Sequence, residues 1–181
     1  MWTLQLPGLL VCAKHDPARI KIAAFDLDGT LIATASGARF PKNLDDWRLL
    51  PAARVLPRLH ADGFDVVVFT NQANLSSGKL KPEHLLNKLK AVQANINVPM
   101  SFYVASHKDT VYRKPHAGMW RKMLDMFAHV DVSQSFYVGD AAGRVSPKRC
   151  DFSDLDLQFA KNVGVRFYTP EQFAQLDICS D

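Results

Sequence analysis

Ile20-Lys21-Ile22-Ala23-Ala24-Phe25-Asp26-Leu27-Asp28-Gly29-Thr30 passes from an apolar run directly into two acids and a glycine. The apolar part suits a strand buried on both faces, as in a parallel sheet. The carboxylates stand two residues apart where the strand gives way to a turn, so both point into one crevice. Like charges held that close repel unless a cation lies between them. A hard dication such as Mg²⁺ takes oxygen ligands from carboxylates, backbone carbonyls and water. One carboxylate can then attack phosphorus while the other manages protons. The competing reading is an acidic turn with solvated side chains. The strand before it and the Gly-Thr after it weigh against that.

Outward from this stretch, similar apolar or β-branched runs recur at 64–69, 102–105 and 135–138, with a weaker one at 165–168. Helical patterns lie between them. Pro82–Ile96 starts with proline and carries Leu85, Leu86, Leu89 and Val92 on one stripe. Residues 116–127 place Met119, Trp120, Met123, Leu124 and Phe127 at helical spacing, which assigns Trp120 to the core. Residues 51–62 are helical in pattern, with Pro57 kinking or restarting the helix, and Ser153 reads as the N-cap of a further one. Strands alternating with helices predict an α/β fold with a doubly wound, Rossmann-like parallel sheet, whose ligands bind beyond the carboxyl ends of the strands.

Three more groups sit at such ends. Thr70-Asn71-Gln72 follows the second run, where a hydroxyl and backbone N–H groups can hold phosphate oxygens, although Thr-Asn is also ordinary turn chemistry. Arg113-Lys114-Pro115 precedes a helix. Lys114 there either neutralises a phosphate together with an attacking aspartate or is part of a solvated basic pair. Gly139-Asp140 closes the fourth run, the glycine permitting close approach and the acid offering another oxygen to a metal.

The chain of 181 residues is sized for a single domain, 1–181, with an N-terminal strand or extension at 1–19 and a catalytic core at 20–175. A net charge of +4 leans mildly toward anionic ligands. Cys12, Cys150 and Cys179 form no CxxC pair, which argues against a zinc module or disulfide framework and for a reducing compartment. Residues 6–13 read as a strand rather than a signal peptide. No stretch approaches the roughly 20 apolar residues of a membrane helix.

Taken in order, Asp-x-Asp-Gly-Thr, Thr70, Lys114 and Gly139-Asp140 resemble the four motifs of the haloacid dehalogenase superfamily of aspartate-nucleophile phosphotransferases. The strings FDLDGTLI (25–32), FTNQ (69–72), RKPHAGMW (113–120), YVGDAAGR (137–144), DFS (151–153) and NVGVRFYTPEQF (162–173) narrow the likeness. They are similar to the phosphatase domain of polynucleotide kinase 3′-phosphatase, over about residues 8–173. No GxxxxGK[ST] phosphate loop occurs, so a phosphatase without 5′-kinase activity is expected.

The resemblance implies that Asp26 is the nucleophile and Asp28 the acid and base. It further implies Mg²⁺ held by Asp26, the Asp28 carbonyl and Asp140, and a phosphoryl group held by Thr70, Asn71 and Lys114. Asp151 or Asp156 would orient Lys114 or a metal-bound water, Asp156 having a competing role in capping a helix. Candidate DNA contacts are Arg39, Lys42, Lys108, Arg113, Arg144, Lys148 and Arg149, each otherwise a solvated surface charge. Phe40 and Trp47 are candidates for stacking on a terminal base, core burial being the alternative for Trp47. The short spacings from Asp28 to Thr70 and from Thr70 to Lys114 leave room for little or no cap domain, which keeps the site open to a polymer end. The implied substrate is a 3′-phosphate at a DNA end in strand-break repair, with a nuclear, membrane-free monomer expected and repair-protein partners unspecified. The alternatives are a capless phosphatase of small phosphate esters and an inert scaffold.

Overall fold

The computed structural model of the chain describes residues 2–146 and 149–178. A hairpin of β1 (Trp2–Leu6) and β2 (Leu9–Ala13) leads to β3 (Lys21–Phe25). Two short strands, β4 (Ile32–Ala33) and β5 (Arg48–Leu49), pair before a 3₁₀ turn (Pro51–Val55) and α1 (Leu56–Ala61). Then come β6 (Phe64–Asn71), α2 (Pro82–Ile96), β7 (Met100–Ala105), α3 (Gly118–Leu124) and β8 (Phe136–Val138). The small hairpin β9 (Val145–Ser146) and β10 (Arg149–Cys150) precedes α4 (Leu155–Val163), β11 (Arg166–Tyr168) and α5 (Pro170–Ile178).

The main sheet has the order β1-β2-β7-β6-β3-β8-β11. From β7 to β11 every pairing is parallel, while β1 and β2 join the β7 edge antiparallel. The predicted parallel sheet therefore stands, with one correction. Residues 6–13 are not one strand: Pro7-Gly8 forms the turn of a hairpin whose first strand has no long apolar run to announce it. Pro57 falls at the second position of α1, where its missing N–H costs nothing, so it restarts the helix rather than kinking it.

Alternation along the strands divides the core in two. Ala23, Phe25, Val66, Val68, Phe102 and Val104 face Leu56, Leu85, Leu89, Val92 and Phe173, from α1, α2 and α5. Ile22, Ala24, Val67, Phe69 and Tyr103 face Met119, Trp120, Met123, Phe159 and Ala160, from α3 and α4. Helices thus cover both faces, as a doubly wound sheet requires. β3 lies between β6, the next main-sheet strand, and β8, to which the chain returns later. The order reverses beside β3, and the crevice there opens at the strands' carboxyl ends. No cap domain is inserted among the described residues: between β3 and β6 the chain holds only the β4–β5 pair, the 3₁₀ turn and α1.

Candidate active site

Asp26 is the first residue past β3, and its N–H still donates to the Val138 carbonyl at 2.8 Å, so the nucleophile candidate is fixed to β8. Leu31 and Ile32 N–H both turn back to the Leu27 carbonyl, and Gly29 at φ +86° closes the turn. A side chain on Gly29 would run into the Asp140 carboxylate, so this glycine serves both the left-handed backbone and the close approach. The turn separates the two acids. Asp26 is only 8% exposed, whereas the Asp28 carboxylate projects to the mouth. There it accepts hydrogen bonds from Gln72 Nε2 at 2.7 Å and Lys88 Nζ at 3.3 Å.

Lys114 is 3% exposed and reaches the site from the loop between β7 and α3. Its Nζ donates to Asp26 Oδ1 at 2.6 Å, Asp156 Oδ1 at 2.7 Å and Tyr137 Oη at 2.8 Å, using all three ammonium hydrogens. Asn71 holds the loop in place: its Oδ1 accepts from Lys114 N at 3.0 Å and its Nδ2 donates to the Lys114 carbonyl at 3.2 Å. The Asn71 side chain thus clamps the lysine backbone, a role additional to the phosphate contact expected of this residue. Thr70, buried at the end of β6, receives a hydrogen bond from Gln72 Nε2 at 3.0 Å.

The expected choice between Asp151 and Asp156 falls to Asp156 as the partner of Lys114. Asp156 also accepts from Tyr137 Oη at 2.8 Å and from Ala141 N at 3.0 Å. It does not cap α4; Asp154 occupies the cap position, without a side-chain capping bond, and Ser153 lies outside it. Asp151 instead accepts from Arg144 Nε at 2.7 Å and from the Ala142 and Arg144 backbone, pinning the loop after Asp140. Gly139 lets Asp156 approach, since a Cβ there would lie 2.5 Å from Asp156 Cβ.

Burial holds the Asp26 carboxyl well above its usual range, Lys114 pulls it down, and Asp156 and Asp140 push it up again. Burial works against the Lys114 ammonium, but Asp156 and Asp26 outweigh it and leave the lysine above its ordinary value. Burial and then the Asp156 and Asp26 charges hold Tyr137 well above a normal phenol. Carboxylate oxygens of Asp26, Asp140 and Asp156 lie within 4.8 Å of one another. Three carboxylates against one ammonium leave an excess of negative charge, and this hard-oxygen donor set fits a dication. Asp28's carboxylate is not in the cluster, so only its carbonyl stays available for the ligand role expected of it. Asp156 has both oxygens engaged, Oδ1 by Lys114 and Tyr137 and Oδ2 by Ala141 N.

Between β4 and β5, Asp46 ties the 34–47 loop by accepting from Ser36 N and Oγ, each at 2.7 Å, and from Lys42 N at 2.8 Å. At its outer end Phe40 is 71% exposed and Arg39 lies over its ring at 5.4 Å. Trp47 packs against the core, as its burial alternative had it. Lys42 and Lys108 are exposed and Arg113 half-buried. Arg144 is bound to Asp151, Glu171 Oε2 at 2.8 Å and the Asp140 carbonyl at 3.0 Å, so its guanidinium serves the loop. Lys148 and the Arg149 side chain lie outside the described residues. Three residues gained roles that sequence reasoning did not give them. Gln72 and Tyr137 stood inside quoted motifs without a partner named, and Lys88 carried no signal beyond a polar position on α2.

The family model for polynucleotide kinase 3 phosphatase matches residues 21–174. A 20.8 kDa uncharacterised protein of Autographa californica nuclear polyhedrosis virus is 58% identical over 98% of this chain and 99% of its own length. The bifunctional polynucleotide phosphatase/kinase of Schizosaccharomyces pombe is 41% identical over 84% of this chain. The polynucleotide 3′-phosphatase ZDP of Arabidopsis thaliana is 36% identical over 84%. The chain spans 37% and 24% of those two proteins respectively. Two solved structures share the fold. A HAD-like phosphatase of Mesorhizobium loti has TM-score 0.72 and 20% identity over 90% of this chain and 78% of that one. A D,D-heptose 1,7-bisphosphate phosphatase of B. bronchiseptica, complexed with magnesium and phosphate, has TM-score 0.67 and 21% identity over 89% of this chain and 99% of that one.

Proposed function

Since the chain belongs to the polynucleotide kinase 3 phosphatase family, we propose that it removes the phosphate from the 3′ end of a DNA strand in strand-break repair. The observation that carries this reading is the Lys114 bridge, which holds Asp26 Oδ1 against Asp156 and leaves Asp26 Oδ2 for the attack. Asp26 Oδ2 attacks phosphorus, the bond from phosphorus to the sugar oxygen breaks, and that oxygen takes a proton from Asp28. Water then attacks the aspartyl-phosphate and gives a proton to Asp28, and inorganic phosphate leaves with Asp26 restored. Lys114 and the Thr70 hydroxyl stabilise the charge on the transferring group.

Asp26, Asp140 and the Asp28 carbonyl would hold Mg²⁺, which when bound neutralises the carboxylates and polarises the phosphoryl group. The magnesium in the solved heptose-bisphosphate phosphatase supports the choice of metal. The uncapped site supports a polymer end over an enclosed small molecule. Arg39, Lys42, Lys108 and Arg113 are the basic side chains proposed to meet the DNA backbone, with Phe40 stacking on a terminal base. The nuclear location expected of the chain rests on this DNA substrate.

The experiment compares turnover of a 3′-phosphorylated oligonucleotide with that of small phosphate esters, with and without Mg²⁺. Metal-dependent preference for the oligonucleotide is expected. Preference for small esters overturns the DNA substrate, and no turnover of either favours a scaffold. With added ATP no 5′-phosphorylated product is expected, and labelled product would contradict the missing phosphate loop.

A further inference from the structure

We infer that Gln72 is a positioning residue that couples the phosphate-holding hydroxyl of Thr70 to the acid-base carboxylate of Asp28, an inference that rests on the phosphatase reading above. Gln72 is anchored through its backbone N–H to the Ala105 carbonyl at 2.8 Å. Its one amide nitrogen serves both partners, Asp28 Oδ2 at 2.7 Å and Thr70 Oγ1 at 3.0 Å. The amide nitrogen, with two hydrogens, can donate to both oxygens at once, which the amide oxygen could not. Each amide hydrogen then has one acceptor. Thr70 Oγ1, buried and an acceptor from Gln72, keeps its own O–H to donate to a phosphoryl oxygen. Asp28, which is exposed and therefore otherwise mobile, is held at the mouth between Gln72 and Lys88. A single amide thus sets the spacing between the group that binds phosphorus and the group that serves the departing oxygen.

Gln72→Leu keeps the bulk and removes both donors. On a 3′-phosphorylated oligonucleotide, whose sugar oxygen leaves only with a proton, kcat is expected to fall about tenfold or more. On p-nitrophenyl phosphate, whose phenolate leaves without one, the rate of the first, single-turnover release of phenolate, which precedes the water step, is expected to fall about threefold or less. A merely structural role would lower both alike, and equal losses overturn the proposal. The second arm is a double-mutant cycle of Gln72→Leu with Thr70→Val on the oligonucleotide. Losses well short of additive are expected, and additive losses overturn the proposal. The cycle decides the matter even if the aryl ester is not accepted. If the wild type ignores the oligonucleotide and hydrolyses only small esters, the DNA substrate fails, and the same cycle is read on glycerol phosphate. Thermal melting checks folding, with Gln72→Met as the replacement if Gln72→Leu is unstable.

Discussion

Lys114 Nζ lies 2.6 Å from Asp26 Oδ1, with both side chains buried beneath the crevice at the end of β3. One oxygen of the proposed nucleophile is therefore occupied, and the proposed attack falls to the other. The same ammonium is held from behind by Asp156 at 2.7 Å, so its position depends on α4 as well as on its own loop.

Asp26→Asn is expected to reduce turnover by at least about a thousandfold, because the amide is a poor nucleophile toward phosphorus. Steady-state release of inorganic phosphate measures it. Full activity would refute the nucleophile assignment.

Lys114→Met is expected to destabilise the fold as well as abolish turnover. Removing one partner from a buried ion pair leaves uncompensated carboxylates and typically costs about 3–5 kcal/mol. Urea unfolding gives the stability, and Lys114→Arg is expected not to restore activity, since a planar fork cannot meet Asp26, Asp156 and Tyr137 as an ammonium does.

Gly139→Ala is expected to impair activity in a protein that still folds. The added Cβ would come 2.5 Å from the Asp156 side chain, which must move and carry Lys114 with it. Overpacking of this kind costs about 1–3 kcal/mol. Melting temperature and kcat measured together distinguish it from unfolding.

The 34–47 loop is expected to loosen in acid. The Lys42 N–H, followed by the Ser36 hydroxyl and N–H, holds the Asp46 carboxyl below its ordinary 3.8. A depressed acid contributes stability that is present above its unfolded value and lost as pH falls through the folded one. Hydrogen exchange at the Ser36 and Lys42 amides is therefore expected to accelerate below pH 3.8, and much less so in Asp46→Asn, which exchanges fast already.

Mg²⁺ is expected to raise the melting temperature of the wild type, because a ligand that binds only the folded state stabilises it. Asp140→Asn is expected to diminish the shift, and chelation to remove turnover. A thermal scan with and without the ion checks the first two.

Much of this was readable from the chain. The run ending at Phe25 and its counterparts near Phe69, Ala105, Val138 and Tyr168 announced the parallel strands, because a strand covered on both faces must be apolar throughout. Pro82–Ile96 was recovered at both ends from its proline start and apolar stripe. The hairpin of β1 with β2 was not legible, since its first strand is short and draws its pairing from a neighbour across a two-residue turn. Ser153 misled because a hydroxyl before an acidic run resembles a cap, yet Asp154 stands at the helix start.

What the residues alone carry is the alternation of strands and helices, and with it the placing of Asp26, Thr70 and Asp140 at strand ends, because burial periodicity and turn chemistry act over a few neighbours. What needed the folded chain is who holds whom. Lys114 and Asp156 are 42 residues apart, Gln72 and Asp28 are 44, and Lys88 and Asp28 are 60. Those partnerships follow from strand order and register, which bring distant loops to one crevice. The preference of Lys114 for Asp156 over Asp151, and the commitment of Asn71 to the lysine backbone, depend on a few ångströms of packing that no local pattern encodes.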